Sequence, residues 1–271
     1  MSRTSVAGAT WQGKEVGPSQ SILLCAWRGV TNGTFDILTQ LARQGLNKPY
    51  DPDEPGWGIL VQSGDAAIYR ARGRIVTSWY ERLPDDVFLM VDDDIVFAPG
   101  AATRIIEAAR QTRSIVCGAY SVKGGDHFAC NLYAGQNIRF AADSPLVEIK
   151  YPATGFMAVH RDVIEAMIPT VPRVNHNFNG GYYPLFCPVV VETENGEHEE
   201  LTEDYAFGER ARRLGFKVWL DPAIYLEHEG TYRWTIHDVF RRAEEGTGYL
   251  SVVPQEVDDL ANDPRLMEGV A

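Results

Sequence analysis

Three consecutive acids, Asp92, Asp93 and Asp94, interrupt an apolar run, Phe88-Leu-Met-Val-Asp-Asp-Asp-Ile-Val-Phe97. Adjacent carboxylates that lose hydration repel one another, so something must compensate them. In an extended chain, side chains alternate with period two, which would turn Asp92 and Asp94 the same way. Two such oxygen donors suit a hard divalent ion, Mg2+ or Mn2+, and that ion could in turn hold a diphosphate. The plainer alternative is a solvated turn with an Asp cap before Pro99.

Two further clusters lie in the C-terminal half. In Leu201-Thr-Glu-Asp-Tyr-Ala-Phe207, Thr202 is a good N-cap and Glu203 and Asp204 fall in the first helical turn, where the dipole favours negative charge. Capping alone explains their position; the functional reading makes one of them a general base that takes a proton from an attacking hydroxyl. In Tyr225-Leu-Glu-His-Glu-Gly-Thr231, His228 follows a short strand between two acids. Its imidazole could complete a metal site with Asp94, or simply pair with a glutamate at the surface. His127, His160, His176, His198 and His237 have no comparable context. Arg70, Arg72 and Arg74 lie early in a helix, with Arg70 and Arg74 on one face, able to meet phosphate or carboxylate. Gly155 in Ala153-Thr-Gly-Phe-Met-Ala158 allows close backbone approach ahead of a strand.

The elements that must position these groups alternate. Ser21–Ala26, Gly58–Ser63, Val87–Val91 and Ile115–Ala119 are short apolar runs that predict buried strands. Thr31–Leu46, Asp65–Arg82 and Ala101–Thr112 predict the helices between them, with Phe35, Leu38, Leu41 and Ala42 inward on the first and Ile68, Ile75 and Trp79 inward on the second. Strand–helix alternation predicts an α/β three-layer sandwich around a mostly parallel central sheet. Ligands in such sheets bind beyond the carboxyl ends of the strands. Phe156–His160, Thr202–Leu214 (closed by Gly215), Lys217–Leu220 and Ala223–Glu227 add later elements. Pro169–Glu200 reads as a long irregular stretch, and a loop of that length is usually functional.

Composition bounds the rest. The chain has 271 residues, 45% hydrophobic and 23% charged, which excludes global disorder. No apolar run reaches the roughly 18 residues of a bilayer span, and residues 1–19 lack a signal-like stretch, so a soluble, cytoplasmic protein is expected. The net charge of −12 disfavours a nucleic-acid binder, which needs a basic face. Seven acids and no Lys or Arg fall between Glu192 and Asp204. Cys25, Cys117, Cys130 and Cys187 are scattered without a CxxC pair, as expected of reduced thiols. One domain over 20–245 is expected, between a flexible arm (1–19) and an acidic tail (246–271).

Taken in order, SGDAAIYRARGRIV, FLMVDDDIVF, ATGFMAVHRDVIEAM and LTEDYAFGERARRLGFKVWLDPAIYLEHEGTYRW resemble the GT-A family of nucleotide-sugar glycosyltransferases, most of all the family-two-like branch of bacterial and phage genomes. The resemblance spans roughly residues 20–235. It implies a nucleoside-diphosphate sugar donor and a Mn2+ or Mg2+ cofactor. Asp94 would bind the metal, Asp92 would touch the ribose or the metal, Asp93 would lie on the donor side, and His228 would be the late metal ligand. Asp204 would be the base of an inverting reaction, supported by Glu203, although a histidine ligand is also compatible with retaining enzymes. Trp27 and Arg28 would lie near the nucleotide base and Arg70 near the donor phosphates or sugar. Gly155 and Phe156 would border an acceptor that could be protein, glycan or modified DNA. Gly73 stands where related helices carry Asn, and Gly208 where they often carry Cys, a change expected to be neutral. A nucleotidyltransferase and a non-catalytic sugar-nucleotide-binding module are the competing readings.

Overall fold

The computed structural model describes residues 10–11, 14–15, 20–26, 29–46, 57–125, 127–175, 180–193, 195–243 and 254–264. Trp27 and Arg28 lie outside them, as does most of the arm. Two short strands, β1 (Thr10–Trp11) and β2 (Lys14–Glu15), pair with each other. The alternating unit follows: β3 (Gln20–Ala26), α1 (Asn32–Leu46), β4 (Trp57–Ser63), α2 (Ile68–Arg82), β5 (Val87–Asp92), β6 (Ile95–Phe97), α3 (Pro99–Thr112) and β7 (Ile115–Gly118). Then come β8 (Val147–Ile149), β9 (Phe156–His160), α4 (Arg161–Met167), β10 (Val174–Asn175), β11 (Gly181–Tyr182), β12 (Val189–Glu192) and β13 (His198–Leu201). The chain continues through α5 (Glu203–Arg213), β14 (Val218–Asp221), β15 (Leu226–Glu229), β16 (Arg233–Trp234), α6 (Ile236–Ala243) and α7 (Pro254–Ala261).

Seven strands form the central sheet in the order β4-β3-β5-β9-β7-β14-β8. β4, β3, β5, β7 and β14 run one way, and β9 and β8 run against them. This is the expected α/β fold with a mostly parallel sheet. β3, β7 and β9 are buried along their whole length, as is β5 up to Val91. Because alternate side chains point to opposite faces, both faces must be covered. Trp79 of α2 meets Phe88 edge-on at 4.8 Å, and Phe97 meets Phe156 at 4.8 Å.

A second sheet, β16-β15-β6, grows from the end of β5. After Asp92 the chain turns through Asp93 and Asp94, and β6 pairs antiparallel with β15, setting His228 opposite Ile95. The Pro169–Glu200 stretch contains two small hairpins, β10–β11 and β12–β13, rather than being wholly irregular. In the segment read as an acidic tail, α7 buries Val257 and Leu260 in the main core, and Glu256 meets Arg139 at 2.8 Å.

Some expectations are corrected. Phe35 is not inward: it is 59% exposed, and the buried stripe of α1 is Thr34, Leu38 and Leu41. Asp65 is not helical; α2 begins at Ile68, and Asp65 accepts from the Ala67 backbone N–H at 3.1 Å. Gly208 is not a neutral position. A Cβ there would lie 2.4 Å from Pro152 Cδ, so α5 packs on Pro152 through a bare backbone. Replacing Gly208 by Cys should overpack this contact and cost about 1–3 kcal/mol, read as a lower denaturant midpoint at unchanged m-value.

Candidate active site

The carboxyl ends of three parallel strands define the site. Gln62 on β4, Cys25 on β3 and Asp92 on β5 stand level across the sheet. A cleft of about 220 Å³ opens beside them, lined by Cys25, Ala26, Gln62, Asp65, Ile68 and Ala71. Burial pushes the Cys25 thiol up to about 12, with Arg72 opposing, so it is a packing group and not a nucleophile. Trp27 and Arg28, the residues assigned to the nucleotide base, follow β3 directly but lie outside the described residues.

The centre of the site is Arg72, 3% exposed. Its Nη2 donates to both oxygens of Asp92 at 2.9 and 3.0 Å. Its Nη1 donates to Asp204 Oδ1 at 2.5 Å and to Glu203 Oε1 at 3.2 Å. One guanidinium therefore joins the end of β5 to the first turn of α5. Thr154, fully buried just before β9, donates from its hydroxyl to the same Asp204 oxygen at 2.7 Å. Asp204 Oδ2 accepts from the Thr154 backbone N–H at a longer 3.4 Å. Thr202 starts α5 without a side-chain cap bond, so the two acids are held by Arg72 and Thr154 and not by a capping hydroxyl.

Burial dominates the electrostatics. It pushes the Asp92 carboxyl up; Arg72 opposes, and the charges of Asp204 and Asp94 add to the rise. Burial and then the Asp204 charge push Glu203 up, again against Arg72. Arg72 itself is driven well above its usual range: burial works against its charge, and Asp92 and Asp204 outweigh it. The formal sum of Arg72, Asp92, Glu203 and Asp204 is +1 − 3 = −2.

Asp94 belongs to a neighbouring cluster. Its Oδ2 lies 2.5 Å from Lys123 Nζ and 3.4 Å from His228 Nε2. Burial opposes its ionisation, but His228 and Lys123 outweigh that and hold the carboxyl below its usual range. His228 Nδ1 sits 2.9 Å from the Ser121 carbonyl. A carbonyl only accepts, so Nδ1 carries a proton and Nε2 faces Asp94. The Ser121 carbonyl thus fixes the orientation of the ring. Among the described residues no three His, Cys, Asp or Glu side chains group as a metal site. Asp94 and His228 are two side chains of metal-ligating type that meet there, 3.4 Å apart.

The other sequence assignments divide. Gly155 is at the site through its backbone: its carbonyl accepts from Asp92 N–H at 3.0 Å and its N–H donates to the Tyr120 hydroxyl at 3.0 Å. A Cβ on Gly155 would lie 2.5 Å from that hydroxyl, which explains the glycine. Phe156 is fully buried against Phe97 and does not reach the site. Asp93 accepts from Thr31 N–H through its carbonyl at 2.8 Å, tying the turn to the start of α1. Arg70 is held by Asp65, at 2.5 and 2.8 Å. Gly73 faces Tyr182, whose ring would be 2.9 Å from a Cβ, so an Asn there would displace this ring.

Arg72 is the residue whose role sequence reasoning missed. Its signal was periodicity: Ile68, Arg72, Ile75 and Trp79 follow a helical i, i+4, i+7, i+11 spacing.

No family model matches the sequence, and a search of curated proteins returns no match. Among solved structures, A197 from STIV aligns over 78% of this chain and 86% of its own at 14% identity, with a TM-score of 0.50. UDP-glucose pyrophosphorylase complexed with UDP-glucose aligns over 84% of this chain and 98% of its own, at 8% identity and 0.40. A glycosyltransferase involved in glycosylation of the major capsid of PBCV-1 aligns over 54% and 62%, at 15% and 0.30. The likeness to A197 is one of fold.

Replacing Arg72 by Met leaves three carboxylates without their cation. Loss of one side of a buried ion network costs about 3–5 kcal/mol. Asp92 and Glu203 have raised pKa values in the fold, so the folded state takes up protons on them before the unfolded chain does as pH falls, and the deficit must shrink at low pH. Urea unfolding at pH 7.5 and pH 5 should show the larger loss at pH 7.5. An equal loss at both would mean that the three acids do not depend on Arg72.

Proposed function

We propose that the chain is a metal-dependent glycosyltransferase that moves a sugar from a nucleoside-diphosphate donor to an acceptor hydroxyl. The observation that carries this reading is the Arg72 bridge, which couples the acid at the end of β5 to the acids at the start of α5. Around it, Asp94 and His228 converge on one point. Asp94 and His228 would hold the Mn2+ or Mg2+ ion, with Asp92 beside them on the donor side. When bound, the ion supplies positive charge for the diphosphate leaving group.

The need for a cation follows from charge. The Arg72 cluster is formally −2, and like charges about 4 Å apart near a protein surface repel by about 4 kcal/mol. A diphosphate cannot approach such a rim unassisted. Asp204 is the base. Its Oδ1 is held by Arg72 and Thr154, which leaves Oδ2 to take the acceptor proton. The acceptor oxygen then bonds to the anomeric carbon as the bond to the β-phosphate oxygen breaks, and the electron pair leaves on the nucleoside diphosphate. A single displacement of this kind inverts the anomeric centre. Glu203 shares Arg72 with Asp204 and sets its position.

The acceptor side is acidic. Glu192, Glu197, Glu199 and Glu200 are exposed on the hairpin that leads into α5. Among the described residues, Arg70 and Arg74 pair with Asp65, Arg72 with the site acids, and Arg212 and Arg213 with Glu209. This supports a protein or glycan acceptor over modified DNA, whose phosphates would demand positive charge. No helix among the described residues is long and apolar enough to cross a membrane.

Incubation with a panel of nucleotide sugars and Mn2+ should release nucleoside diphosphate. Release of pyrophosphate from a nucleoside triphosphate and a sugar phosphate would instead make the chain a nucleotidyltransferase. Asp204→Asn should lose transfer by at least about a hundredfold, the usual reach of general-base catalysis, and still bind donor. Asp94→Asn should abolish transfer with its melting temperature kept in the absence of metal.

A further inference from the structure

Lys123 is the one cation that the described residues bring to the Asp94–His228 pair. Its Nζ is 2.5 Å from Asp94 Oδ2, the same oxygen that His228 Nε2 faces at 3.4 Å. A divalent ion on that oxygen would need a bond of about 2.0–2.2 Å. An ammonium at 2.5 Å competes with such an ion for the lone pairs of that oxygen. The lysine is nevertheless not a buried structural ion. Its side chain is 47% exposed, against 20% for Asp94. Its stem runs beside Gly230, where a Cβ would stand 3.6 Å from Lys123 Cε. It sits on a turn closed by Gly125 N–H to the Val122 carbonyl at 2.9 Å, followed by Gly124 and Gly125 in conformations with φ of +117° and +72°. The same turn supplies the Ser121 carbonyl that orients His228. A long, half-exposed cation and the carbonyl that orients His228 therefore come from one short segment.

We propose that Lys123 is a displaceable internal cation: it occupies the Asp94–His228 position when the site is empty and moves onto the donor diphosphate when the divalent ion takes that position. This rests on the glycosyltransferase reading of the same site. The exchange balances charge in both states. Without ligand, Lys123 neutralises Asp94. With the ion in place, Asp94 would be satisfied, and the diphosphate would offer the tethered ammonium an anion. An ammonium is suited to this because it is a compact point charge on a flexible stem.

The test uses the full chain and Lys123→Met, which keeps the stem and removes the charge. Mn2+ alone is titrated and followed by loss of the free-ion EPR signal. The variant should bind Mn2+ about threefold to fivefold tighter, the scale of a partly exposed ion pair. At saturating Mn2+, the tightest-binding of the uridine, guanosine, cytidine and thymidine diphosphates should bind the variant about tenfold more weakly, the loss of one charge-assisted contact. Equal Mn2+ affinity in the two proteins, or undiminished diphosphate affinity in the variant, would overturn the proposal and leave the glycosyltransferase reading standing. Absence of Mn2+ binding or of any diphosphate binding in both proteins would overturn the metal and donor reading, and this proposal with it.

Discussion

A guanidinium that must not be left unpaired in the interior governs the arrangement of this site. Arg72 is 3% exposed, and a buried charge without partners costs several kcal/mol. The fold answers by bringing carboxylates from two distant segments, 20 and 132 positions away, to the same head group. The solution overshoots: three acids surround one arginine. In a purely structural ion pair one carboxylate would suffice, and the other two would add repulsion and desolvation without return. Burial raises the pKa values of Asp92 and Glu203, and the charge of Asp204 adds to the rise at each.

The surrounding architecture can be read as what holds this excess in place. β5 sits between β3 and β9 and is sealed on both faces, so its last residue cannot retreat. Asp92 N–H is tied to the Gly155 carbonyl, and the next residue to the side, Thr154, pins Asp204. The turn at Asp93 and Asp94 then sends the chain into the small sheet, where β6 pairs with β15, His228 stands opposite Ile95, and the Asp94 carbonyl accepts from Glu229 N–H at 2.8 Å. The triple Asp is thereby split three ways. Asp92 goes to Arg72, the Asp93 carbonyl to α1, and Asp94 to Lys123 and His228. An extended chain would have kept Asp92 and Asp94 parallel; the turn is what gives each its own partner.

Much of the framework was legible because its strands are unbroken apolar runs. Val87–Val91 could only be a covered central strand, and it is. The acids at its end, and their likeness in order to a glycosyltransferase pattern, were legible for the same reason: charge at the end of an apolar run is conspicuous. The misses share a different cause. Arg72 was grouped with Arg70 and Arg74 by residue type, although its helical phase matched Ile68, Ile75 and Trp79. Phe35 was assigned inward by residue type, although the small, polar Thr34 takes the buried position. Gly208 looked interchangeable with Cys because nothing local signals that Pro152 will lie against it. Tertiary contacts between segments far apart in sequence leave no periodic trace, and the Gly208–Pro152 and Gly73–Tyr182 approaches are of that kind.

The division of labour between the two charge clusters has a further consequence for order of events. The Arg72 cluster has a formal −2 that no described side chain neutralises further, while Asp94 is already neutralised by Lys123. An incoming anion therefore meets an unfavourable field at the first cluster and a balanced one at the second. Positive charge added near Asp94 weakens the field at Asp92, because the two carboxylates act on each other. Under the proposed function, a cation arriving at Asp94 would lower the repulsion at Asp92 as well, so cation and anion binding would be mutually favourable, each raising the affinity for the other by the same factor. The coupling needs no moving domain. It follows from placing three carboxylates around one buried arginine and a fourth within reach.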